Sequence, residues 1–316
     1  MRAQVGTAVE QEDAKRLPGL LRELAALRRA HRHPLLRARA AKIFADGVLE
    51  HPAQTASLLR PYLRNAGTKK KPKWVASKKR GLLLVKPSPF ERLTTALNRA
   101  GWQVHVHAIG DRGVRDALNA FAASRRANGI SGWGPRNTIT HLELIDPADI
   151  PRFAALKVIP NMQMQWFQRD GFTIEAVEPY LGAKRFRWLY PAASLVQSGA
   201  SLAASSDWPV DPLFPWYAIE RGVTRKADPW YGSAKRALNP VERLSLAQAV
   251  KAYTMGSAFQ MHQDRRTGSL ERGKLADLIV LDRNLFRVPV DRISGTKVLM
   301  TMLGGRVVHG DLDLRR

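Results

Sequence analysis

Cysteine is absent from the 316 residues. That excludes disulfides, thiolate nucleophiles and cysteine-held metals. Acidic side chains are scarce: 27 Asp and Glu stand against 51 Lys and Arg, for a net charge of +24. No apolar run approaches the roughly eighteen residues of a membrane span. The N-terminal stretch is charged and helical and lacks the apolar core of a secretory signal. A membrane is therefore not expected as a partner, and the chain reads as cytoplasmic unless a further segment precedes Met1. Hydrophobic residues reach 45%, enough for one large α/β domain with a small appendage.

The basic excess is partly local. Five arginines fall between Arg28 and Arg39, and seven basic residues between Lys69 and Arg80. Neither cluster comes with a zinc finger, an aromatic RNA-binding strand or a helix-turn-helix pattern. Weak, salt-sensitive polyanion binding by a solvated surface is expected, and specific nucleic-acid recognition is not.

The stretch from Trp102 to Arg112, WQVHVHAIGDR, organises the rest. Val104 and Val106 alternate with His105 and His107, so both imidazoles leave one face of a strand that ends where a helix begins near Val114. An isolated H-x-H is more often a pair of core histidines; here neighbouring strands end in similar chemistry. Ala40 to Gly47 is a short apolar strand with Lys42 inside it, and a buried ammonium needs a partner. Arg136 to Glu143 is a β-branched strand closing on His141. Val158 to Trp166 is expected as a strand with Asn161, Gln163 and Gln165 on one face. Ser201 to Pro209 is a small-residue strand ending in Asp207. Leu17, Leu20, Leu21, Leu24 and Leu27 predict a helix over residues 12–30. His31 and His33, in an arginine-rich turn before Pro34, read as solvent-exposed. Residues 65–89 form a Gly/Pro/Lys-rich surface loop. Strand ends carrying Lys42, His107, His141 and Asp207 converge on one face in a β/α barrel, the face where such folds place their chemistry.

AKIFADG (41–47), TASLLRPY (55–62), HAIGD (107–111), RNTITHLELID (136–146), GASLAASSDWPV (199–210), KAYTMGSA (251–258) and GSLERGKLADLIVLD (268–282) together resemble the metal-dependent amidohydrolase superfamily. The likeness is greatest to its family-3 branch, which includes N-substituted formamide deformylases and exoenzyme-regulating proteins. The resemblance implies an (β/α)8 barrel holding a binuclear metal centre, usually zinc, beside a β-sandwich built from both chain ends. It implies that Lys42 is the carbamylated bridging ligand, that His107 and His141 bind metal, and that Asp207 both binds metal and shuttles a proton. Gln163 and Arg185 become candidate substrate contacts, while His105 matches no ligand position and is expected to pack inside the barrel.

The implied reaction is hydrolysis of a non-peptide carbon–nitrogen bond in a small amide or formamide, by water activated on the metal. One departure stands out. The family's first H-x-H follows an apolar strand, and nothing before Lys42 fits it. Counting from the Lys42 strand gives five strands, so an incomplete barrel (strands 4–8, residues 1–265) with a partial β-sandwich (266–316) is expected. Leu275 to Asp282 and Lys297 to His309 supply the sandwich strands, the latter turning at Gly304-Gly305. An N-terminal complementing segment is an expected partner, and a second copy of the chain is left open as another. Two alternatives stay open: an inactive remnant keeping only the second metal's ligands, and a basic polyanion-binding module.

Overall fold

The computed structural model describes residues 3–228 and 236–311, and it divides into two compact units. The first comprises residues 2–162 and 169–202; the second comprises 163–168 and 203–316. The expected boundary at 265/266 falls inside the second unit.

The first unit is built on parallel strands. β1 (Ala3–Ala8) pairs with β3 (Leu36–Phe44), which continues to β6 (Gln103–Ala108), β7 (Thr138–His141) and β8 (Ile159–Met162). The short β2 (Arg32–His33) runs antiparallel against the start of β3. The sheet therefore does not begin at the Lys42 strand, as expected from sequence; β1 precedes it. The sequence AQVGTA conceals this strand because its residues are mostly small. Gly6 sits against Ala40, where an added Cβ would be in ordinary contact, so the glycine is not required there by space.

Helix α1 (Leu17–Ala30) connects β1 to β2 and buries Leu20 and Leu24, one turn apart on the core-facing stripe. Pro18 stands in its first turn, where a missing N–H costs nothing. Helices α2 (Pro87–Arg99) and α3 (Asp111–Ala127) flank β6 and pack on each other; α2 buries Phe90, Leu93 and Leu97, and α3 buries Val114, Leu118 and Phe121. Beneath them Asn98 and Asn137 exchange side-chain amide bonds of 2.9 and 2.8 Å. Asn137 also accepts from the Val104 N–H, and Ser124 donates to Asn98. Each buried polar group there finds a partner, so the network fixes strand register without an unpaired group. The expected loop contains a small hairpin, β4 (Leu63–Asn65) with β5 (Trp74–Ala76), whose turn is held by Asn65 Oδ1 accepting from Gly67 and Lys73 N–H. The unit also holds the short helices α4 (Ile150–Ala155), α5 (Gly171–Ile174), α6 (Glu178–Leu181), α7 (Ala183–Phe186) and α8 (Ala192–Gln197).

In the second unit β9 is only Ala203–Ala204. It is followed by α9 (Pro215–Thr224), α10 (Leu246–Lys251), a π-turn (Ala252–Gly256) and α11 (Ser257–Gln260). Strands β10 (Leu278–Leu281), β11 (Val298–Leu303) and β12 (Arg306–Gly310) form an antiparallel sheet turning at Gly304-Gly305. Leu299, Val307 and Val308 are exposed on it. Among the described residues no helix is long and apolar enough to cross a membrane.

Candidate metal centre

β3, β6 and β7 bring three of the four ligand candidates together at their carboxyl ends. In the sheet Lys42 pairs in register with His105, Phe44 with His107, and Ala108 with His141. The two-residue period puts Lys42 and Phe44 on the same face. Lys42 Nζ lies 5.2 Å from the Phe44 ring centroid, the Phe44 ring 5.3 Å from that of His107, and the His107 ring 4.5 Å from that of His141.

His107 is oriented through one nitrogen. Its Nε2 lies 3.1 Å from the Gly47 carbonyl oxygen and 3.7 Å from Asp46 Oδ1. A carbonyl only accepts, so Nε2 carries the proton and the neutral ring keeps its lone pair on Nδ1. This is how metal-binding histidines are commonly set: the distal N–H goes to a carbonyl or carboxylate and the other nitrogen faces the ion. Burial pushes the His107 pKa down to about 4, against the Gly47 bond, with the Lys42 charge adding to the shift. Burial likewise pushes His105 down to about 3, and its Nε2 is buried without a hydrogen-bond partner. Both rings are neutral near pH 7, which is the form that ligates.

Asp46, which the sequence reading passed over, holds this end of the sheet together. Its carboxylate accepts from the backbone N–H groups of Ser57 (2.8 Å), Ile109 (3.0 Å) and Gly110 (2.9 Å). Burial pushes its pKa up to about 7, with the three N–H bonds opposing the rise. Asp111 does the same for the next segment by accepting from the Leu59 N–H at 2.8 Å. The glycines of these motifs are steric requirements. A Cβ on Gly110 would stand 2.1 Å from the Ser57 oxygen, and one on Gly47 2.1 Å from Thr55 Oγ1. An Asp-Gly after an apolar strand was the only sequence signal for this clamp.

His141 and Leu142 are both left-handed, with φ of 78° and 56°. For non-glycine residues this costs on the order of 1–3 kcal/mol each, a cost tolerated mainly where function fixes the backbone. Two residues on, Glu143 is fully enclosed. Burial first, then the charge of Glu50, lifts its pKa well above the usual range, opposed by a bond to Tyr190.

Asp207 stands in the second unit, beyond β9, at φ 60°. Its approach is clamped on several sides. Gln163 Nε2 donates to Ser205 Oγ at 2.7 Å, and Gln165 Nε2 to the Ser206 carbonyl at 2.8 Å. Ser257 Oγ donates to the Ala204 carbonyl, and Tyr253 OH to that of Ser205. The KAYTMGSA motif thus shapes a π-turn that braces this segment, a distortion often found at functional sites. Gln163 and Gln165 do not lie on a strand, contrary to expectation: β8 ends at Met162 and Met164–Trp166 is a 3-10 turn. Arg185, in the first unit, donates to the carbonyls of Leu181, Arg60 and Tyr180, which uses three of its five N–H groups. His31 and His33 are exposed, as expected.

Among the described residues no three His, Asp or Glu side chains stand together in position to hold a metal ion. A ligand set in the first unit therefore needs Lys42 beside His107 and His141. The neutral His107 ring, its anchored tautomer and the lysine on the same face suit a divalent metal.

A model of the amidohydrolase family matches residues 3–309. Protein LONG AFTER FAR-RED 3 of Arabidopsis thaliana is 31% identical over 230 residues, covering 72% of this chain and 38% of that protein. The N-substituted formamide deformylase of Arthrobacter pascens is 25% identical over 227 residues, 69% of this chain and 38% of the enzyme. A metal-dependent hydrolase structure from Pyrococcus horikoshii OT3 superposes with a TM-score of 0.68 at 27% identity, covering 86% of this chain and 50% of that one. The chain spans half or less of the length of these three proteins. With its HAIGD turn, its Lys42 strand and its KAYTMGSA brace all inside the matched span, the chain belongs to family 3 of the amidohydrolases.

Proposed function

We propose that this chain carries the second-metal half of a zinc-dependent hydrolase site acting on carbon–nitrogen bonds of small amides or formamides. The observation that supports it most is the anchoring of His107. Its Nε2–H is committed to the Gly47 carbonyl, and its Nδ1 lone pair is left for a ligand beside His141.

Lys42, His107, His141 and Asp207 would hold the ion. Lys42 contributes as a carbamate: its neutral Nζ adds carbon dioxide and releases one proton, which converts a cation into an anionic oxygen pair. Bound there, zinc would supply Lewis acidity that polarises a carbonyl and makes water acidic near neutral pH. Asp207 takes a proton at its carboxylate and passes it to the leaving nitrogen. Gln163 and Tyr253 keep the Asp207 segment in place. Arg185 offers its two remaining N–H groups to a substrate oxygen. The likeness to a formamide deformylase supports the bond class.

The test is zinc content by plasma emission after equilibrium dialysis, with turnover of N-formyl and simple amide substrates measured in parallel. The isolated chain is expected to hold at most about one zinc per chain against two in a complete centre. It should hydrolyse little until a segment bearing an upstream H-x-H is supplied. No zinc retention would sink the ligand assignment. Full two-metal loading by the chain alone would sink the need for a partner.

A further inference from the structure

Residues 51–90 contain ten Lys and Arg and no Asp or Glu. The β4–β5 hairpin stands at the centre of this stretch. Lys69, Lys70, Lys71 and Lys73 are exposed in its turn, and among the described residues no carboxylate pairs with any of them. Lys79 and Arg80 are used differently. They donate to the carbonyls of Pro52, Ala53 and Leu59, which fastens the hairpin to the 52–59 segment.

The same hairpin carries an aromatic side chain that the core does not absorb. Trp74 is 37% exposed, although an indole is usually well buried. It meets Tyr180 edge-on, with centroids 5.2 Å apart at 79°, and the His51 ring stacks on Tyr180 at 4.4 Å and 11°. One ring each comes from β5, α6 and the loop after β3. His51 is exposed too, and its backbone N–H donates to the Ala176 carbonyl at 2.9 Å. Rings already held in place lose little freedom when a planar partner stacks on them.

Few carboxylates oppose this charge. Glu50 is partly buried, and Glu178 Oε2 lies 3.8 Å from Arg169. Glu175 is exposed, one acid against four lysines. Ammoniums act as point charges without the fork that grips a single phosphate, so a row of them suits a row of phosphates. Lys71 is three residues from Trp74, at most about 10 Å of extended chain. A duplex keeps its bases stacked on one another and offers these residues charge alone. A single strand offers phosphates and open base faces together.

We propose that the β4–β5 hairpin is a docking surface for single-stranded nucleic acid of any sequence, with its lysines on the phosphates and a base stacked on Trp74.

The test is fluorescence anisotropy of the full chain with a labelled oligothymidylate of about twelve nucleotides, its oligouridylate counterpart and a duplex of equal length. Each is titrated at roughly 50 and 200 mM salt. Both single strands should bind more tightly than the duplex, and within about threefold of each other, since neither contact reads the sugar. Trp74→Leu should weaken binding at least about fivefold with the salt dependence unchanged. Trp74→Phe keeps a ring and should retain most of the affinity. The triple variant Lys69→Gln, Lys70→Gln, Lys71→Gln should lower the slope of log affinity against log salt by about 2. Arg22→Gln, Arg29→Gln, Arg126→Gln removes the same charge from exposed positions on α1 and α3 and should change that slope by less than half as much. Duplex binding as tight as single-strand binding would overturn the proposal, because charge alone would then explain it. So would full affinity in Trp74→Leu, equal losses in the two triple variants, or no binding at the lower salt.

Discussion

The two ends of β3 treat charge in opposite ways. At the carboxyl end a lysine, two histidines and a carboxylate are enclosed, and Asp46 is met by three backbone N–H groups and faces His107. At the amino end three arginines and two histidines crowd a cavity with no carboxylate among the lining residues. In the first arrangement Asp46 and His107 are set by their neighbours, and the fold itself depends on the setting. The second is lined by basic side chains, with the Arg28 Nε buried and unbonded. Substitutions should therefore damage stability and metal binding together at the carboxyl end, and should leave stability untouched at the exposed cationic surfaces.

The largest effect is expected from His107→Ala. Zinc retention after dialysis should fall to background, because the imidazole anchored on the Gly47 carbonyl is gone. Retention equal to the parent chain would place the ion elsewhere. Next comes Gly110→Ala, whose Cβ cannot fit 2.1 Å from the Ser57 oxygen. A loss of about 3 kcal/mol in urea unfolding is expected, at the upper end for overpacking. A change under about 0.5 kcal/mol, as for a surface site, would show that the 55–59 segment is not tightly held.

Asp46→Asn sharpens the comparison twice. The amide can accept only through Oδ1, so the backbone clamp is broken in part, and zinc affinity should fall about 10- to 100-fold through the loosened support of His107. The second readout is pH. Asp46 is raised to about 7 when folded, so its contribution to stability is present below its unfolded pKa near 4 and is lost as pH rises through about 7. The histidines act in the other sense. His105 and His107 are lowered to about 3 and 4, so stability is lost as pH falls from about 6.5 toward those values. The two slopes oppose each other between pH 4 and 6.5. Removing the carboxyl should steepen the rise of stability with pH by up to about 1.4 kcal/mol per unit. Chemical denaturation at pH 4.5, 5.5 and 6.5 would show it, and parallel curves for the two proteins would refute it. Smallest of all, the triple hairpin variant Lys69→Gln, Lys70→Gln, Lys71→Gln should unfold within about 0.5 kcal/mol of the parent.

Much of this was legible in the sequence because periodicity reports on faces. Val104 and Val106 against His105 and His107 placed the strand and its imidazoles, and apolar spacing found α1. What escaped notice has no side-chain pattern. The partners of Asp46 are backbone N–H groups at residues 57, 109 and 110, and a main-chain donor looks the same under any side chain. β1 escaped because AQVGTA is mostly small. The strand expected through Trp166 failed because a 3-10 turn can carry the same run of alternating amides as a strand, so period alone did not separate them. The clamp on the Asp207 segment comes from Gln163, Tyr253 and Ser257, each more than forty positions from its partner, so the contacts form only on folding.

The Asp46 clamp also sets a timetable for the growing chain. Its three donors lie 11, 63 and 64 positions further along the chain. A nascent chain that has not yet exposed residues 109 and 110 leaves Asp46 without two of its three donors. Early contacts of low sequence separation cannot build this corner, because its loops must close before their contacts stabilise anything. Any ion held through His107 would therefore depend on the closure of these loops.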